Sequence, residues 1–250
     1  MTNRDTPLSM PLRSKKVFLF LIFALMTAGA LGAHFQPSLL AQARVRFLGA
    51  RTVDQVIATL EPKLQKKVSR MFAKVGCSFP DSRLTYIGLK KERFLEVWCN
   101  RTNGGWGLAH KYRILAASGR PGPKLKEGDL QVPEGIYTIP VLNPNSRFHL
   151  SMKLNYPNKF DREKGAIDGR RKLGGDIFIH GSFFSIGCIA IGDKPIEELF
   201  YITRKTGRPK VTVIIMPYDF RIKPPIPPSG TPAWTIQLYR EIEKTAKSYK

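Results

Sequence analysis

The sequence predicts an α+β protein, mainly β, in which helices flank a strand-rich middle at both ends. Three observations carry that reading. Apolar residues recur at three- and four-residue steps before residue 75 and again after residue 233, which is the helical period. Between these stretches, short runs rich in β-branched and aromatic residues are separated by Gly-, Pro- and Asn-bearing breaks. Hydrophobic residues make up 42% of the 250-residue chain, enough for a packed core and too many for disorder throughout.

Residues 1–16 are polar and basic, with Arg13, Lys15 and Lys16 nearest an uncharged run from Val17 to Ala33. This is the order of an export signal. Ala28-Gly29-Ala30 and Ala41-Gln42-Ala43 each offer a small-x-small cleavage point. The run is shorter than the ~20 apolar residues of a membrane span. Over residues 1–43, a cleaved signal peptide and a short N-terminal membrane anchor therefore both fit. Either one carries the rest of the chain across the membrane, to the periplasm or cell envelope.

Residues 44–80 hold a helical segment. Val53, Val56, Ile57, Leu60, Leu64, Val68, Met71 and Phe72 place one amphipathic helix over Thr52 to Lys74, with Gly76 as its stop. Pro62 predicts a kink or break in it. Leu84–Leu89 and Phe94–Trp98 read as strands about the charged turn Lys90-Lys91-Glu92-Arg93. Tyr112–Leu115, Ile136–Val141 and Phe148–Leu154 are further strands, and Arg120–Gly128 is a Pro- and Gly-rich loop. Asn155–Leu173 reads as a long exposed loop. Asp176–His180 is a short apolar strand that ends on a histidine. Pro195–Thr206 is a helix capped by Asp193 and ended by Gly207, and Lys210–Met216 is a buried strand. Residues 81–217 thus form one strand-rich unit. In 218–250 a Pro-rich linker, Pro224–Pro232, leads to a final amphipathic helix near Trp234–Ser248.

The net charge is +22, from 41 Lys and Arg against 19 Asp and Glu, a field that favours polyanions. The charge is spread along the chain, with no zinc-finger spacing and no RNA-binding aromatic motif. Together with the export signal, this argues against a specific nucleic-acid partner. Three cysteines in an oxidising compartment leave one thiol over. Cys77 and Cys99 bracket the predicted hairpin, and a bridge between them would contribute ~3 kcal/mol. Cys188 is then free; three reduced, buried cysteines are the competing arrangement.

The densest chemical signal is His180-Gly181-Ser182-Phe183-Phe184-Ser185-Ile186-Gly187-Cys188. A histidine leaves a strand end, and a Gly-Cys pair follows eight positions after it. A tight loop brings the two side chains together, with Gly181 and Gly187 permitting unusual backbone angles. Such a pair suits a nucleophilic thiol. An imidazolium that lowers a thiol pKa by two units, ~2.7 kcal/mol, makes the thiolate predominant, and the same ring protonates a leaving amine. The Ser182 hydroxyl or a backbone carbonyl would orient the ring. A zinc site from His149, His180 and Cys188 is the weaker reading, because no CxxC or HExxH accompanies it. No cofactor signature appears: no P-loop and no G-x-G-x-x-G after a strand.

The block His-Gly…Ser-Ile-Gly-Cys resembles the active-site block of the L,D-transpeptidase (YkuD-type) catalytic domain, and its short spacing is similar to the YafK-like branch. Gly122–Asp129, Val132–Tyr137, Asn143–Ser151 and Tyr156-Pro157-Asn158 with Asp161 resemble further segments of that branch, in order, over roughly Leu84 to Pro217. The resemblance implies a β-sandwich catalytic domain that attacks an L-to-D amide of peptidoglycan stem peptides and forms a thioester. The acyl group then passes to an amine or to water. It makes Cys188 the nucleophile and His180 the acid/base, and it gives Gly187 and Cys188 the oxyanion amides. Gly181 and Ser182 fall to the loop, and Arg147, Asn145 and Tyr156 to substrate contact. Two departures stand out: Ile186 occupies the place of a second histidine, and Ile189-Ala190-Ile191 replaces an Arg or Asn after the cysteine. Both fit the YafK-like branch, in which cutting of wall–lipoprotein links is an alternative to cross-linking. Two other classes compete with an enzyme: a wall-binding scaffold without chemistry, and an envelope protein that binds polyanions.

Overall fold

A computed structural model describes residues 49–250. The predicted export segment and both of its cleavage points lie outside the described residues. Helix α1 (Val53–Ala73) opens with a reciprocal capping box, in which Thr52 Oγ1 accepts the Gln55 amide and Gln55 Oε1 accepts the Thr52 amide. The helix runs unbroken through Pro62, against the expected break. Pro62 lies on the exposed side, while Val56, Ile57, Leu60, Leu64, Val68 and Phe72 are buried on the other. Six buried apolar side chains at ~1.5–3 kcal/mol each outweigh the ~3 kcal/mol of an interior proline.

Among the described residues, ten strands form two five-stranded sheets. In the first, β3 (Trp106–Arg113), β2 (Phe94–Asn100), β1 (Leu84–Leu89), β10 (Val211–Met216) and β5 (Gly135–Thr138) lie in that order, with β1 and β10 parallel. In the second the order is β4 (Ala116–Ala117), β9 (Ile189–Ala190), β8 (Phe178–His180), β7 (His149–Lys153) and β6 (Val141–Ser146), with β8 and β9 parallel. One core lies between the sheets: Tyr86, Leu95 and Val97 of the first share it with Leu150, Met152, Ile179 and Ile189 of the second. This is the expected mainly β sandwich with helices at both ends.

Every residue of β1 is buried, so no alternation shows in it. The cause is a second core on the outer face of the first sheet. There α4 (Thr235–Ala246) sets Leu238, Tyr239 and Ile242 against Ile87, Trp98 and Ile214. Helix α4 is also held by a buried polar bond: the Tyr239 hydroxyl donates to Glu134 Oε2 at 2.7 Å, while Lys90 Nζ and the Gly122 amide donate to Glu134 Oε1 at 2.8 and 2.9 Å.

Three elements differ from expectation. The strand expected over Ile136–Val141 is two strands, β5 and β6, that belong to different sheets, because Pro140 lies between them and cannot donate to a ladder. The long loop expected over Asn155–Leu173 contains helix α2 (Lys159–Ile167), opened by a capping box of Asn158 and Asp161. Strand β3 begins at Trp106, earlier than the expected Tyr112. Helix α3 (Asp193–Thr206) forms as expected, but Gly192 is its cap, and Asp193, the expected cap, is its first helical residue.

Candidate active site

Strand β8 is central in the second sheet and ends on His180. Beside it β9 runs parallel in the register Ile179–Ile189 and His180–Ala190. Cys188 immediately precedes β9, so the stretch from His180 to Cys188 joins the end of β8 to the start of β9. The loop between them is fixed at both ends. A Cβ on Gly181 would lie 2.6 Å from both Asp193 Oδ1 and the Phe148 carbonyl, so no other residue fits there. Gly187 has φ +119°, in the left-handed region. The Ser182 amide donates to Asp193 Oδ1 at 2.7 Å, which ties the start of the loop to the first turn of α3. At the other end Ser185 Oγ accepts the Cys188 amide at 3.1 Å and donates to the Cys188 carbonyl at 2.6 Å.

His180 is buried and stacks on Phe148, with ring centroids 4.6 Å apart. Its Nδ1–H donates to the Gly181 carbonyl at 2.6 Å, which leaves Nε2 as the nitrogen able to take a proton. A backbone carbonyl, one of the two expected candidates, thus orients the ring. Burial pushes the imidazole pKa down, against the Gly181 carbonyl, which raises it. The Cys188 thiol donates to the Asp176 carbonyl at 3.6 Å. Burial pushes the thiol pKa up, and Asp176 adds to this, while a Phe178 backbone bond and Lys124 oppose it. Burial thus disfavours the charged form of each group taken singly.

His180 and Cys188 line one cavity of about 720 Å³ together with Arg147, Asn145, Phe148 and Lys124. Lys124 is paired with Asp129 in its wall. Arg147 is exposed there. Asn145 also touches the cavity, but its amide exchanges two bonds with the backbone of Arg51, at 2.9 and 2.8 Å, and so anchors the chain ahead of α1. Tyr156 is buried away from the cavity, its hydroxyl donating to the Leu173 carbonyl at 3.1 Å. Ser182 opens on a separate hollow beside Arg113 and Lys194. The Cys188 amide, expected in an oxyanion hole, is bonded to Ser185. His149 donates from Nε2 to Glu197 at 2.7 Å, outside the cavity lining, so His149, His180 and Cys188 share no common site. The sulfurs of Cys77 and Cys99 are 2.09 Å apart, and Cys188 is the free cysteine. Ser185, Asp193 and Phe148 are site residues that the sequence reading missed; the x-Ser-x-Gly-Cys order was the available signal for Ser185.

A mainly β sandwich with a histidine and a cysteine in one cavity defines the class of protein. The family model for YkuD, the L,D-transpeptidase catalytic domain, matches residues 86–215, and the chain belongs to that family. It is 34% identical over 134 residues to "Putative L,D-transpeptidase YafK" of Escherichia coli K12, a match that covers 52% of each chain. It thus spans about half the length of the curated relatives it matches. Among solved structures, the helical cell shape determining protein Pgp2 of Campylobacter jejuni is similar at 26% identity, with TM-score 0.46, over 56% of this chain and 49% of that one. Bd1075 of Bdellovibrio bacteriovorus is similar at 19% identity, with TM-score 0.42, over 70% of this chain and 59% of that one.

Proposed function

We propose that this chain is a cell-wall enzyme in which Cys188 attacks the carbonyl of an L-to-D amide in peptidoglycan stem peptides. The observation that carries the reading is that His180, at the end of β8, and Cys188, just ahead of the parallel β9, line one cavity. In this reading His180 Nε2, the ring nitrogen left free by the Gly181 bond, takes the thiol proton as sulfur adds to the carbonyl. The tetrahedral intermediate collapses as the protonated imidazole gives that proton to the leaving amine, and a thioester on Cys188 remains. An incoming amine or water attacks the thioester while His180 accepts its proton; the C–S bond breaks, the acyl group leaves on the acceptor, and His180 returns the proton to the Cys188 sulfur. Transpeptidation and hydrolysis differ only in that acceptor.

The envelope is the compartment this substrate requires, and the export signal at residues 1–43 agrees with it. Among the described residues no helix is long and apolar enough to cross a membrane. Incubation with a synthetic stem peptide that carries the L-to-D amide, followed by intact-mass analysis after acid quench, tests the reading. An acyl adduct on the wild type that is lost in Cys188→Ala is the expected result; an adduct on another residue rejects the assigned nucleophile.

A further inference from the structure

Next to the catalytic cavity lies a second, open groove of about 460 Å³. Three cationic side chains line it: Arg162 on α2, and Arg171 and Lys172 on the segment that follows α2. Both hollows share Glu127, Gly174 and Gly175 in their linings, so they meet along that seam. Construction of the seam is specific. The Glu127 amide donates to the Lys172 carbonyl at 3.0 Å, which lays the two segments side by side. Gly174 has φ +80°, and a Cβ there would lie 3.0 Å from Glu127 Cα. At Gly175 a Cβ would meet nothing within 4 Å. A low glycine saddle therefore separates the two hollows, with Glu127 beside it and no side chain on Gly174 or Gly175.

The charges are asymmetric. Arg170, the neighbouring cation, is engaged by Asp168 at 2.8 Å and by the Leu125 carbonyl at 2.7 Å. Arg171 and Lys172 are exposed, and no ion pair joins either to another of the described residues. Glu127 on the seam is one carboxylate against three cations. An extended molecule that leaves the catalytic cavity over the saddle meets guanidinium and ammonium groups, which favour carboxylates; the planar guanidinium accepts them in a fork.

We propose that this groove is a substrate-extension site: it seats a carboxylate-bearing stretch of the peptide whose scissile amide lies at Cys188, reached across the Gly174–Gly175 saddle. This rests on the proposed function for the identity of the bond, while the binding test below does not require turnover. A peptide occupant is favoured over a free phosphate polymer because the groove is continuous with the cavity, so its occupant is the continuation of what the cavity holds.

The test uses Cys188→Ala protein and two labelled stem peptides, one with free carboxylates beyond the L-to-D amide and one with carboxamides there. The acid form is expected to bind about tenfold more tightly, the sum of a few exposed ion contacts, and to lose that advantage in high salt. The acid-over-amide ratio falls to near one in R171A/K172A. It falls likewise in Gly175→Leu, a position with space and without a left-handed backbone, which blocks the saddle. Equal affinity for the two peptides, or a ratio untouched by both variants, overturns the proposal. So does inorganic polyphosphate held through Arg171 and Lys172 while the acid peptide shows no advantage. Wild-type turnover is read separately: turnover without an acid preference rejects the groove alone, and an acid preference without turnover rejects the proposed function alone.

Discussion

The Ser182 amide donates to Asp193 Oδ1 across 2.7 Å, so the loop that leaves His180 is fastened to the first turn of α3. The same oxygen is 2.6 Å from where a Gly181 Cβ would stand. A glycine, an amide and a carboxylate thus define where the loop starts, and with it where it returns to Cys188. Asp193→Ala is expected to cost ~1.5–3 kcal/mol in urea unfolding, the range for a hydrogen bond to a charged group. It is also expected to lower kcat about tenfold with little change in KM, because a shift of the loop misplaces the sulfur. Asp193→Asn keeps an acceptor and should recover much of both losses. Unchanged kcat in Asp193→Ala, measured on folded protein, would show that the tether does not position the site.

Protonation of the pair gives a second prediction. A lowered histidine pKa means that the neutral base form is present at pH 7 and is lost only when the pH falls below the ordinary value of about 6.5. A raised thiol pKa means that Cys188 stays protonated at pH 7 and ionises only as the pH climbs past the ordinary thiol range. Iodoacetamide should therefore label native Cys188 at pH 7 more slowly than free cysteine, with a rate that rises with pH above about 9. The acid limb of kcat/KM should lie below pH 6.5. Labelling at pH 7 faster than free cysteine would favour a preformed thiolate pair instead.

A third prediction concerns the cysteines. Under denaturing, non-reducing conditions one thiol should titrate, that of Cys188, with Cys77 and Cys99 joined. The bond ties the segment after α1 to the end of β2, and its reduction should cost ~3 kcal/mol of stability. Three titratable thiols would leave the sulfur contact without a role in the folded protein.

The fourth concerns the brace at the far side of the first sheet. Glu134 is buried with Lys90, whose side chain is 8% exposed, and accepts from Tyr239. Glu134→Ala should destabilise by ~3–5 kcal/mol, because it strands a buried ammonium, whereas Tyr239→Phe should cost ~1–3 kcal/mol. Equal, small losses in thermal unfolding would count against a buried ion pair.

Much of this was legible in the chain, for identifiable reasons. Helix α1 announced itself because its period, cap and stop agree, and packing then overrode Pro62. Strands β1 and β2 were legible from composition, although the second core on their outer face was not; it depends on α4, which follows much later in the chain, folding back. Helix α2 was hidden by its polar sequence, with only the Asn158–Asp161 box to signal it. At the site, that His180 and Cys188 meet in one cavity was legible from their residue types and short spacing. Phe148, Ser185 and Asp193 were not, because their roles come from register and loop closure. Asn145 and Tyr156 were placed by resemblance in sequence order, which cannot tell a cavity-facing side chain from one bonded into the wall or buried behind it.

Digestion of purified sacculi with the wild type, Cys188→Ala and His180→Gln, followed by mass spectrometry of the released fragments, tests the central claim most directly. The account predicts fragments cut or rejoined at L-to-D amides with the wild type, none with Cys188→Ala, and at least a hundredfold less with His180→Gln. The same fragments at wild-type yield from Cys188→Ala would contradict it.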